Sequence, residues 1–144
     1  PNPGSRMRDT KLFGRFRKFL PVESIQWLKQ QDFHIPFSKD IPTQFYNYVE
    51  DWQSVDKEFL DQTIEELHKG FYEDMRSLVS ALNRLTRPLE NNPALLTTRL
   101  IGEESGDALL ANEKEIEGLH RLADKVVESY EGFYRACRER WGEG

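Results

Sequence analysis

The apolar residues between Lys11 and Leu20 fall at positions 12, 13, 16, 19 and 20, which is one face of a helix. Lys11, Arg15, Arg17 and Lys18 occupy the rest of that helix. Pro21 ends it, because the residue before a proline avoids the α region. Pro21 also suits the first position of a second short helix over about 22–31, carrying Val22, Ile25 and Leu28. Pro36 and Pro42 interrupt the next stretch, so 32–41 reads as an irregular connection. A third short helix is predicted from Pro42 to Trp52, with Phe45, Tyr46, Tyr48 and Trp52 as a dense aromatic block.

Two long stripes follow. Leu60, Ile64, Leu67, Phe71, Met75, Leu78, Leu82 and Leu85 recur at steps of three and four. They predict a helix over about 55–86, with Ser54 as N-cap and Pro88 as its stop. Ile116, Leu119, Ala123, Val126, Tyr130, Phe133, Cys137 and Trp141 predict another over about 108–141, capped by Asp107. Between them, Asn92 and Pro93 have the chemistry of an N-cap and first residue, which predicts a short helix to about Leu100. An acidic loop over 102–107 then leads into the last helix.

No segment sustains a period of two. The expected fold is therefore all-α and bundle-like: an antiparallel pair of long helices, about 55–86 and 108–141, packed with three or four short ones. The first long helix would be about 48 Å in length. That is long for 144 residues. An uncovered end of the hairpin would then offer a surface to a partner or to a second copy of the chain.

Composition narrows the class. The length fits one domain. Residues 1–6, with Pro1-Asn2-Pro3-Gly4-Ser5 ahead of Met7, read as an appended leader expected to be disordered, and 7–144 as a single helical domain. Seventeen aromatic residues exclude ordinary disorder, and the single cysteine excludes a disulfide scaffold. No apolar run reaches the roughly 18 residues a membrane span needs.

Charge changes the picture more. The chain carries −5, yet residues 1–20 hold six basic residues and one acid, leaving −10 on the remainder. A basic arm on an acidic body makes 7–20 the leading functional segment. Phe13, Phe16 and Phe19 beside Lys11, Arg15, Arg17 and Lys18 have the chemistry of a helix lying on an anionic membrane surface or docking in a partner's groove. The same pattern also describes a helix that packs its Phe face on the long hairpin. The acidic body disfavours nucleic acid. Arg135, Arg138 and Arg140 form a second basic cluster, where they also complement the last helix's macrodipole.

Catalytic signatures are missing. The sequence has no P-loop, dinucleotide fingerprint, His-Glu-x-x-His helix or EF-hand loop. No histidine follows an arginine at the four-to-six-residue spacing of small helical ribonucleases. Two histidines do occur as Glu-x-x-His, Glu65 with His68 and Glu117 with His120. Ferritin-like di-iron bundles use that spacing twice. Helical arithmetic turns these pairs outward: His68 lies about 65° and Glu65 about 125° off the apolar stripe, His120 about 80° and Glu117 about 140°. His68 and His120 are thus metal candidates expected at the surface. His34 reads as a loop histidine with a local hydrogen bond, and Cys137 as a small buried hydrophobe, despite Arg135 and Arg138 nearby.

The sequence points to a non-enzymatic helical protein-interaction module without a cofactor, self-association being one form of it. Phe13, Phe16, Phe19, Phe45, Tyr46, Tyr48 and Trp52 are its expected contact residues. A cytoplasmic protein held at a membrane surface by Lys11–Leu20 is the alternative. A metal-dependent bundle enzyme using His68 and His120 is the third reading.

Overall fold

The computed structural model describes residues 3–99 and 105–142. It is 75% helical, with five helices and a small three-stranded sheet, as expected for an all-α, bundle-like fold. The predicted end of the short helix at Leu100, the first half of the acidic loop and the last two residues lie outside the described residues. Helix α1 spans Pro3–Phe19, α2 Val22–Gln30 and α3 Asp40–Asp51. Helix α4 spans Gln62–Leu85 and α5 Gly106–Trp141. Among the described residues, no helix is long and apolar enough to cross a membrane.

Helices α4 and α5 form the central pair, and their facing residues run in opposite directions. Phe59, just ahead of α4, stacks on Trp141, His68 meets Phe133, and Phe71 meets Tyr130. Further along, Lys125 reaches Asp74. Helix α1 lays Leu12, Phe13 and Phe16 into the core, with Leu20 just beyond its end. It begins at Pro3 rather than Lys11, so residues 3–6 are helical where disorder was expected.

Two expectations fail, for different reasons. Helix α4 starts at Gln62, not near 55. Ser54 leads only a single 3-10 turn, Val55–Lys57, after which Phe59 drops into the core. The backbone here is taken up by α1. The buried carboxylate of Asp9 accepts the Leu60 and Asp61 N–H groups, both at 2.8 Å. Arg8 donates to the carbonyls of Glu58 at 2.7 Å and Asp56 at 3.2 Å. Asp61 then caps α4 by accepting the Ile64 N–H and pairs with Arg140 of α5.

The second failure is the helix predicted from Pro93. That segment is β3, Asn92–Thr97, the middle strand of an antiparallel sheet. Its neighbours are β1, Phe37–Ser38, and β2, Arg87–Leu89. Phe37 pairs with Leu96, and Arg87 with Thr97. Asn91-Asn92-Pro93 is chemistry for a turn as much as for a cap. Thr97 and Thr98 are β-branched and lose side-chain freedom in a helix. Thr98 is instead buried, and its hydroxyl donates to the Phe33 carbonyl at 2.6 Å. Strands of two and three residues are too short to show alternation, and β3 does not alternate, with Ala94, Leu95 and Leu96 in one apolar run, which hid them in the sequence. Helix α5 begins two residues early because Ser105, not Asp107, is its N-cap and accepts the Ala108 N–H.

The Asp9 contact makes a direct prediction. Hydrogen bonds to a charged group contribute about 1.5–3 kcal/mol each. Asp9→Ala is expected to lower the unfolding free energy in urea by about 3 kcal/mol or more. Glu128→Ala, on the exposed side of α5, should shift it by less than about 0.5 kcal/mol. Equal effects from the two would contradict the cap.

Candidate functional site

The aromatic contact residues read from the sequence are mostly structural. Phe13, Phe16, Phe45, Tyr48 and Trp52 are at most 4% exposed, and Phe19 is half-buried against Tyr48 and Trp52. Tyr46 remains exposed, its hydroxyl facing Glu50. The spacing that would present an apolar face to a groove or a membrane equally presents it to the core, and here the core takes it. Lys11, Arg15 and Lys18 stay on the outer face of α1, and Arg17 folds its guanidinium over the Phe13 ring.

His68 is a correction. It is buried, not solvated, because the buried face of α4 runs through Ile64, His68, Phe71, Met75, Leu78 and Leu82. Leu67 is partly exposed and Val79, on the other side, is buried, so the true stripe is turned toward the histidine. Phe16, Trp52, Phe59 and Phe133 surround the ring. Tyr48 Oη lies 2.8 Å from Nε2, and Glu65 Oε1 lies 3.8 Å from Nδ1. Burial pushes the Tyr48 phenol well above its ordinary pKa. Glu65 also accepts the Phe59 N–H at 2.9 Å. This Tyr–His–Glu chain satisfies a buried imidazole and ties α3 to α4.

His120 is elsewhere. It lies on α5 thirteen residues before Phe133, the ring that meets His68, which is about 20 Å along the helix. The two Glu-x-x-His pairs therefore do not converge, and Glu117 is exposed. His120 instead meets the segment after α2. Its Nε2 accepts the Phe33 N–H at 3.0 Å and lies 3.7 Å from Asp32 Oδ1. His34 stands beside it, ring centres 5.6 Å apart. Nδ1 of His34 is 2.7 Å from Asp32 Oδ1, and Nε2 is 2.6 Å from Glu113 Oε1 on α5. The hydrogen bonds to Glu113 and then Asp32 raise the His34 pKa. The His34 backbone N–H, followed by its ring, lowers that of Asp32. The local bond expected of His34 is there, but the contact to Glu113 spans 79 positions and leaves no mark in the sequence.

The other concave feature is an open groove of about 660 Å³ between α2 and the C-terminal half of α5. Val22, Ile25, Tyr130 and Tyr134 supply its apolar lining. Arg135 and Arg138 belong to the basic cluster read from the sequence, and both line the groove. Arg140 points away to Asp61. Lys29 is paired with Glu131 across it at 3.3 Å, and Glu139 is the remaining acid. Burial raises the pKa values of Tyr130 and of the fully buried Cys137, which keeps phenol and thiol protonated at neutral pH. No protein-family model, curated protein or solved structure matches the chain.

Glu65 sets a pH dependence. Burial works against its charge, but the bonds from His68 and the Phe59 N–H outweigh this and hold the carboxyl below its ordinary 4.5. A carboxylate depressed on folding contributes stability that is complete above the unfolded pKa and lost as pH falls through the lower folded one. Glu65→Gln should therefore flatten the fall in urea stability below pH 4.5 relative to the wild type. Parallel acid limbs for the two proteins would contradict this.

Proposed function

We propose that the chain is a non-enzymatic interaction module that takes a short acidic peptide segment with apolar side chains in the α2–α5 groove. One observation carries the reading: Val22, Ile25, Tyr130 and Tyr134 line the groove beside the exposed Arg135 and Arg138. The chain as a whole carries −5, so a groove lined by three basic and two acidic residues runs against the general charge. Its volume is in the range of ligand sites, and tyrosine and arginine are frequent anchors at interfaces. The partner's carboxylates would meet the arginines while its apolar side chains cover the apolar lining. Of the contacts read from the sequence, the groove uses the α5 side of the hairpin surface and not the N-terminal aromatics, which are mostly enclosed.

The test is fluorescence anisotropy with a labelled peptide of Leu, Phe and Glu, against the same peptide with Lys in place of Glu. Saturable binding of the acidic peptide is expected. Arg135→Glu and Val22→Glu should each weaken it about tenfold or more, a loss of about 1.4 kcal/mol, with unchanged circular dichroism. Equal binding of both peptides, or no effect of either substitution, would overturn the reading.

A further inference from the structure

We propose that Asp32, His34 and His120 bind a divalent transition metal of zinc's class, fastening the segment after α2 to α5. One ligand atom from each of the three residues can be chosen so that all lie within 4.8 Å of one another. Zinc binds nitrogen and oxygen donors at about 2.0–2.2 Å, which sets tetrahedral donors about 3.3 Å apart. Asp32 Oδ1 is already 2.7 Å from His34 Nδ1 and 3.7 Å from His120 Nε2. Small rotations of side chains at the surface close the set. Asp32 is 57% exposed and His34 41%.

Glu113 has a separate role as a positioning residue. Its carboxylate faces Nε2 of His34, the nitrogen turned away from Asp32. With Nδ1 on the metal, Nε2–H donates to Glu113, the carboxylate–histidine–metal arrangement that fixes the ring and raises its basicity. Two imidazoles and one carboxylate favour zinc, cobalt or nickel over magnesium and calcium, which take oxygen ligands. Coordination through Nδ1 releases any proton held there to solvent, and the metal takes the His120 Nε2 lone pair in place of the Phe33 N–H, a hydrogen bond that is lost in the exchange. Three protein ligands leave a fourth position for water or a small anion.

The experiment is calorimetric titration of the full chain with Zn²⁺, with Co²⁺ absorption as a readout of coordination geometry. One equivalent should bind, raise the melting temperature, and resist competition by Mg²⁺. His34→Ala and Asp32→Asn, both at surface side chains, should weaken binding by more than about tenfold. Glu113→Gln should weaken it about tenfold with the stoichiometry and the Co²⁺ spectrum kept, a pattern that loss of folding would not give. Glu117→Gln, on the same helix, should have no effect. Absence of saturable binding, or equal affinity in His34→Ala and the wild type, would overturn the proposal.

Discussion

The packing of Phe16 is the constraint on which the rest of the structure depends. This fully buried ring on α1 meets Tyr48 and Trp52 at the end of α3, His68 and Phe71 of α4, and Tyr130 and Phe133 of α5. Most of these are edge-on contacts, the geometry that aromatic quadrupoles favour. Interiors are close-packed, so one residue inserted among three helices fixes their separations together. Phe13 extends the same contact to Tyr134 and Trp141 near the end of α5. A segment that reads as a basic arm is thus the element around which the bundle closes.

Polar ties then fix the register of that closure. Asp9 sits on the same face of α1 as the aromatic insertion, two turns before Phe16, and seals the entry to α4. Asp61 links that entry to Arg140, so the start of α4 and the end of α5 are joined at the same end of the bundle. Inside, His68 would be costly among aromatic rings without its hydrogen bond to Tyr48 and the Glu65 carboxylate 3.8 Å away. Trp52 is an exception, since its buried indole N–H meets no acceptor among the described residues. The Lys57 ammonium lies 5.4 Å from the Trp52 ring centre, a cation–π contact at the core's edge.

Much of the fold was legible because helices bury a stripe with a local period. The all-α class, the antiparallel long pair and the ends of α1, α2 and α4 near Phe19, Gln30 and Leu85 follow from stripes and prolines. What was not legible depends on distant partners. Ser54 looks like a cap, and only the Arg8–Asp9 contact shows why the helix waits until Gln62. Asn92-Pro93 looks like a helix start, and only pairing with Phe37 and Arg87 makes it a strand. The outward turn calculated for His68 counted Leu67 and Leu85 in the stripe and left out Val79, whereas Val79 is buried and the two leucines are not. In the candidate sites, Arg135 and Arg138 were visible as a cluster, whereas Val22 and Ile25 come from α2 and share no local pattern with them. Asp32, His34, Glu113 and His120 meet only because α5 runs back past the loop after α2.

With the N-terminal phenylalanines committed to the core, the surfaces we propose for recognition are the α2–α5 groove and the histidine–carboxylate cluster. Both are carried on α5, which α1 holds in place. The account therefore stands or falls on α1 being an integral part of the bundle. Amide hydrogen exchange of residues 9–19 tests this most directly. If α1 closes the core, these amides exchange as slowly as those of α4, through global unfolding. Exchange by local opening, far faster than that of α4, would show a detachable arm and contradict the account.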